Sequence, residues 1–344
     1  MKQHLNTLII LSTLALYAQN GDESKLDQQR IDFANSITAD DLSELLYSFA
    51  ADSMQGRMTA TPGQKKAANF LRDFYIKEGI SGALPGGGFF QNIPEVYFKS
   101  KYIRTDSENV VAIIPGSVWP QEYIVLSAHY DHVGAKGDTI YNGADDDGSG
   151  TVALLEIAQA FKKAQKKGLG PKRSIVFLHV TGEEIGLYGS RYYTENPIYP
   201  LAQTVCNLNT DMIGRIDPNK VGNDNYIYLI GSDKLSQELH DLSEEVNRRY
   251  IEMELDYTFN DENDPNRFYY RSDHYNFAKK NIPIIFYFNG VHEDYHKPSD
   301  TPDKIEYPLM AKRTQLIFQT AWEVANRPQR IYADKLEEST IEQK

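Results

Sequence analysis

The sequence predicts an α/β fold, a three-layer sandwich in which helices flank a central mixed, mostly parallel sheet. Three observations predict it. Short apolar runs recur at 123–128, 174–180, 204–208 and 283–288, as expected of strands buried on both faces. Stretches with apolar residues at helical spacing separate them. Histidines and acids fall just past the ends of those runs, where open parallel sheets bind their ligands.

The elements follow in order. Residues 1–18 read as an export signal: Lys2 gives the positive start, Leu8–Tyr17 the apolar run, and Ala15 and Ala18 are candidate cleavage positions. That run is short for a membrane span, and a buried first helix is the competing reading. Residues 19–39 read as a polar leader, 40–328 as one domain, and 329–344 as a polar C-terminal tail. Within the domain, 40–51 is an amphipathic helix carrying Leu42, Leu45, Leu46 and Phe49. A polar loop with Gly56, Arg57, Pro62 and Gly63 leads to a second helix, ended by Gly79. Strands are expected at 89–98, 109–114, 123–128, 174–180, 204–208, 225–230 and 283–288. Helices are expected at 151–164, 186–195, 233–249, 272–280 and 306–326.

Composition narrows the function classes. The 344 residues carry 36 basic and 48 acidic side chains, a formal charge of −12, with no basic patch, which argues against a nucleic-acid partner. The single cysteine, Cys206, permits no internal disulfide and sits in an apolar strand pattern.

The segment NGADDDGSG (142–150) holds three consecutive aspartates among glycines, just before a helical pattern. Three adjacent carboxylates repel one another unless cations or donors neutralise them. An exposed acidic turn, a calcium loop and a transition-metal site are all compatible with this stretch alone. Four other metal-capable groups fall past strand ends: His129, Glu183–Glu184, Asp211 and the 292–296 segment. Mixed imidazole and carboxylate sets suit catalytic zinc sites, and no thiolate set exists for a closed structural one. The surplus of carboxylates points to two metal ions sharing one of them.

HYDHVG (129–134), NGADDDGSG (142–150), TGEEIGLYGS (181–190), NTDMIG (209–214), RSDHYNF (271–277) and DYHKPSDTPDKI (294–305) occur in this order. With the upstream SMQGRMTATPGQKKAANFL (53–71), they resemble the co-catalytic zinc aminopeptidases of metallopeptidase family twenty-eight, over about residues 40–325. That group also contains glutamate carboxypeptidase. The resemblance implies two Zn2+ ions bridged by Asp146. His129 and Asp211 would complete one position, Glu184 and His296 the other. Asp131 would orient His129, Glu183 would be the general base, and Tyr295 would donate to the oxyanion. Arg271 is a candidate substrate contact, and Asp273 would make a supporting hydrogen bond. Asp145 and Asp147 are left unassigned to metal, and His132, His274 and His292 are read as structural or supporting. The motifs leave no room for the inserted protease-associated domain of many relatives. Thr210 stands where a leucine often precedes the ligating aspartate.

The implied activity is hydrolysis of the N-terminal peptide bond of peptides with a free N-terminus, through a metal-bridging hydroxide with Glu183 as base, by an enzyme exported to the periplasm or the medium. A glutaminyl cyclase-like acyltransferase with a single zinc, a dipeptidase or carboxypeptidase, a non-catalytic binding module and a calcium-binding adhesion protein are the competing readings.

Overall fold

The computed structural model describes residues 25–336. Three helices open the described residues: α1 (25–35), α2 (Ala39–Phe49) and α3 (Pro62–Glu78). Strands β1 (Ser81–Gly82), β2 (Phe90–Ile93), β3 (Ser107–Ile114) and β4 (Trp119–His129) follow, then a small hairpin of β5 (Ala135–Lys136) and β6 (Thr139–Ile140). The second half alternates: α4 (Gly150–Lys166), β7 (Arg173–Val180), α5 (Tyr188–Glu195), β8 (Thr204–Thr210), β9 (Tyr226–Ile230), α6 (Gln237–Tyr250), β10 (Glu254–Asp256), α7 (His274–Ala278), β11 (Ile284–Phe288) and α8 (Tyr307–Asn326).

The main sheet runs in the order β1-β3-β7-β4-β8-β11-β9-β10, with β2 also paired to β3. Its centre, β7-β4-β8-β11, is parallel, while β3 and β9 join antiparallel on either side. This is the predicted mixed, mostly parallel sheet. Side chains alternate along each strand. On β4, Ile124, Leu126 and Ala128 face the core shared with α2, α3, α4, α6 and α8. Tyr123 and Val125 face the smaller core beneath α5 and α7. Helix α4 is apolar on nearly every face because it lies between the sheet and other helices, with Phe161 against Phe318 and Trp322 of α8.

Three stretches differ from the sequence reading. From residue 25 the expected leader is helix α1, docked on α8. Arg30 bonds Glu323 at 2.7 Å and the Gln319 carbonyl at 2.8 Å and lies over the Tyr250 ring, while Phe33 stacks on Trp322. Its anchor is an arginine, which composition scores as solvent-facing. The expected strand at 89–98 stops at Ile93, because Pro94 has no N–H to extend the ladder. Part of the expected tail is also docked: Ile331 is buried, and the Asp334 carboxylate accepts from the Gln237 and Glu238 N–H groups at the start of α6. The export signal at 1–18 and the residues after 336 lie outside the described residues. Among the described residues, no helix is long and apolar enough to cross a membrane. Cys206 is buried in β8.

Candidate metal centre

Because β4, β7, β8 and β11 run parallel, their carboxyl ends share one edge of the sheet. His129 is the last residue of β4, Glu183 and Glu184 follow β7, and Asp211 follows β8. His296 comes from the loop after β11 with its backbone left-handed, at φ 54°. The aspartate loop enters the same space between β6 and α4. Gly143 has φ +56°, and a Cβ there would fall 2.4 Å from the Asp146 carbonyl oxygen and 2.5 Å from His132 Cγ. Only glycine lets the two segments approach so closely.

The flanking aspartates are occupied by the main chain. Asp147 accepts from the N–H groups of His129, Gly150 and Met212. Asp145 accepts from Gly214 at 2.6 Å, and Asp300 accepts from the N–H groups of Asp145 and Asp146. Asp146 alone is left facing the centre.

Its two oxygens face different groups. Asp146 Oδ1 lies 3.1 Å from His129 Nε2, and Oδ2 lies 2.9 Å from His296 Nε2. Asp211 Oδ1 is 3.7 Å from His129 Nε2, and its other oxygen accepts from the Ser272 hydroxyl at 2.7 Å. Glu184 Oε2 is 3.0 Å from His296 Nε2, and Oε1 is 2.8 Å from His132 Nδ1. Two clusters able to hold a metal ion therefore share Asp146: His129 with Asp211, and His132 with Glu184; His296 adjoins the second. Asp146 Oδ2, Glu184 Oε1 and His132 Nδ1 are all buried without a well-directed hydrogen bond. Buried polar atoms in native proteins normally have partners. Together with the mixed imidazole and carboxylate donors, this fits divalent metal ions.

The electrostatics point the same way. Burial alone would lower the His129 pKa, but Glu183, Asp211 and Asp146 outweigh it and hold the imidazole well above its ordinary value. Burial likewise opposes charge on His296, yet Asp146 and Glu184 push it up to about 10. Asp146 is held well below the carboxylate range, since bonds from His129 and His296 overcome its burial. Without metal, imidazolium protons neutralise the carboxylates. Glu183 behaves differently. Burial, reinforced by Glu184 and Asp211, raises it well above the ordinary glutamate range, and its Oε2 sits 3.9 Å from His129 Nε2.

The remaining expected residues lie around this centre. His129 Nδ1 meets the main-chain carbonyl of Asp131 at 3.0 Å, with the Asp131 carboxylate 3.9 Å away. That carboxylate accepts from the Thr59 hydroxyl and the Glu183 N–H, so it links the histidine loop to the glutamate loop. Tyr295 stacks on His296 with ring centroids 3.9 Å apart. Arg271 lies over the Phe268 ring. A pocket opens between the donors and an apolar wall of Met212, Phe268, Phe286, Phe288 and Val291, with Arg271 and Tyr295 at its lining. Asp273 lies beneath, bonded to Ser190, and burial pushes it up to about 7. His274 stacks on Phe286, a packing role, and His292 meets Asp145 at 3.2 Å.

One neighbour, Arg57, had no assigned role in the sequence reading. Arg57 is fully buried and donates to the carbonyls of Tyr130, Asn142 and Gly143, the main chain beside His129 and before Asp145. The available signal was an arginine between glycine and methionine in a polar loop, which reads as solvated. His132 was read as supporting, and the structure puts it against Glu184.

The family model described as peptidase family M28 matches residues 109–321. A probable zinc metalloprotease of Pyrenophora teres f. teres is 27% identical over 206 residues, which is 57% of this chain and 39% of that protein. The chain thus spans well under two thirds of that relative's length. Among solved structures, the Legionella pneumophila LapA aminopeptidase superposes with a TM-score of 0.68 at 21% identity, over 88% of this chain and 76% of that one. A Bacteroides thetaiotaomicron glutaminyl cyclase bound to N-acetylhistamine superposes with a TM-score of 0.63 at 17% identity, over 83% and 98%. At these identities the superpositions establish the shared fold.

Proposed function

The chain belongs to peptidase family M28, and we propose that it is an exported zinc-dependent aminopeptidase that removes the N-terminal residue from peptides. The observation that carries this reading is Asp146, whose two carboxylate oxygens face two different histidines at 3.1 and 2.9 Å. That arrangement supports a carboxylate shared by two ions, with His129 and Asp211 at one position and Glu184 and His296 at the other. When bound, such ions supply Lewis acidity and bring the pKa of water toward 7.

The chain's own groups account for the rest of the chemistry. Glu183 is buried beside the centre with a raised pKa, as suits a group that accepts a proton from the attacking water and returns it to the leaving amine. Asp131 holds the His129 loop to the Glu183 N–H, which fixes the base relative to the donors. Burial keeps the Tyr295 phenol protonated, as a donor to the developing oxyanion must be. The negative charge of Glu183 and Asp211 suits the free amine of a peptide. The apolar wall of Met212, Phe286 and Phe288 favours an apolar first side chain, and Arg271 lies where it would meet the rest of the substrate. Residues 1–18 support export.

Elemental analysis tests the two-ion reading. The purified protein should hold two equivalents of zinc, and Asp146→Ala should lose affinity at both positions. One equivalent in the wild type, with Asp146→Ala unimpaired, would turn the reading toward a single-zinc acyltransferase such as a glutaminyl cyclase.

A further inference from the structure

We propose that His132 is a positioning residue for Glu184, holding one carboxylate oxygen so that the other is presented to the second ion. The inference rests on reading Glu184 as a metal ligand. Its observation is the division of labour at that carboxylate. Oε2 lies 3.0 Å from His296 Nε2, on the side of Asp146, while Oε1 lies 2.8 Å from His132 Nδ1.

The other donors of the centre follow the same pattern. His129 Nδ1 is held by the Asp131 carbonyl, and the outer oxygen of Asp211 by the Ser272 hydroxyl. Groups behind a metal ligand commonly fix its orientation in this way. No main-chain N–H reaches the Glu184 carboxylate among the described residues, and glutamate has one more rotatable bond than aspartate. Without His132 its outer oxygen would be buried and unopposed.

The imidazole is itself rigid. His132 is buried, with its ring against Gly143 at a spacing that admits no Cβ there, and its main-chain N–H donates to the Arg57 carbonyl. The contact needs the tautomer with the proton on Nδ1. In this structure the two atoms stand 2.8 Å apart without forming a hydrogen bond, and neither has another hydrogen-bond partner among the described residues, so the bond would close only as a ligand draws the carboxylate into place. With one oxygen held, Glu184 would offer the other as its single donor atom to a bound ion.

The test compares metal-free wild type, His132→Ala, His132→Asn and Glu184→Gln. Each is titrated with cobalt(II), followed by visible absorption and by competition with a chelator. The asparagine amide nitrogen overlays Nδ1 and keeps a donor there. In His132→Ala the first ion should bind as in wild type, while the second binds about 10- to 100-fold more weakly with an altered cobalt spectrum. His132→Asn should restore most of both. An unchanged second ion in His132→Ala, or His132→Asn as weak as His132→Ala, overturns the proposal. Glu184→Gln separates the two readings. If it weakens the second ion while His132→Ala does not, only the role of His132 fails. If it leaves the second ion intact, the assignment of Glu184 as a ligand fails first.

Discussion

Replacing Arg57 with methionine should destabilise the protein by about 2–3 kcal/mol and weaken metal binding, although Arg57 touches no proposed ligand side chain. Arg57 donates to the Tyr130, Asn142 and Gly143 carbonyls at 2.9, 2.5 and 2.8 Å. Hydrogen bonds from a charged donor contribute roughly 1.5–3 kcal/mol each, so three give about 6 kcal/mol. Against that stands the cost of burying the charge. Burial lowers the guanidinium from 12.5 to about 10, with Asp300, Asp146 and Asp131 opposing the drop. That shift corresponds to about 3.5 kcal/mol at roughly 1.4 kcal/mol per unit, which leaves a net contribution of about 2–3 kcal/mol. For a chain of this size, at roughly 2.1 cal/mol/K of unfolding entropy per residue, the loss is a fall of about 4 °C in melting temperature. Differential scanning calorimetry of metal-free Arg57→Met measures the stability term, and zinc competition with a chelator measures the second. The reasoning is refuted by a variant that melts within about 1 °C of wild type and binds zinc equally well. Such a result would mean that the loops before Asp145 and after His129 hold their shape without a cation beneath them.

Three further outcomes follow from the same geometry. Glu183→Gln should keep its metal by elemental analysis and lose activity by about 10²- to 10⁴-fold; near-normal turnover would remove Glu183 as the base. Glu156 is a buried carboxyl on α4 that burial, aided by Asp41, raises to about 7, with Oε2 unpartnered. Because its folded pKa lies above the unfolded 4.5, its contribution is intact below pH 4.5 and is lost as pH rises through 7. Urea unfolding at pH 8 should therefore find Glu156→Gln more stable than wild type by up to about 3 kcal/mol, with the gap closing near pH 4.5; equal stability at pH 8 would refute the burial argument. His129 is raised and His296 stands at about 10 without metal, so zinc must displace protons that both hold at neutral pH. Calorimetry in buffers of different ionisation enthalpy should register proton release, with affinity rising from pH 6 to pH 9, and a pH-independent affinity would contradict the charge balance described here.

Much of the architecture and of the site was legible because both obey local rules. Strands buried on two faces give unbroken apolar runs, and an open parallel sheet binds ligands at the ends of such runs, so His129, the Glu183–Glu184 pair and Asp211 stood out by position, while the choice of Glu184 over Glu183 as a ligand came only from the family resemblance. The flanking aspartates were sorted from Asp146 only through the family resemblance and not by local pattern, since their partners Gly214, Met212 and Asp300 arrive from distant segments. Arg57 escaped notice for the same reason: its acceptors lie 73, 85 and 86 residues away. Helix α1 was read as a leader because its tie to α8 runs through Arg30 and the single aromatic Phe33, too few apolar positions to show as a stripe.

The central claim is metal-dependent removal of single residues from free N-termini. The direct measurement is a mass-spectrometric digest of a peptide pool containing free, acetylated and glutamine N-termini, with and without chelator. The account predicts chelator-sensitive loss of single residues from unblocked peptides only, fastest for apolar first residues. Loss of ammonia from the glutamine peptides with no shortening of the others would contradict it, as would cleavage that ignores acetylation.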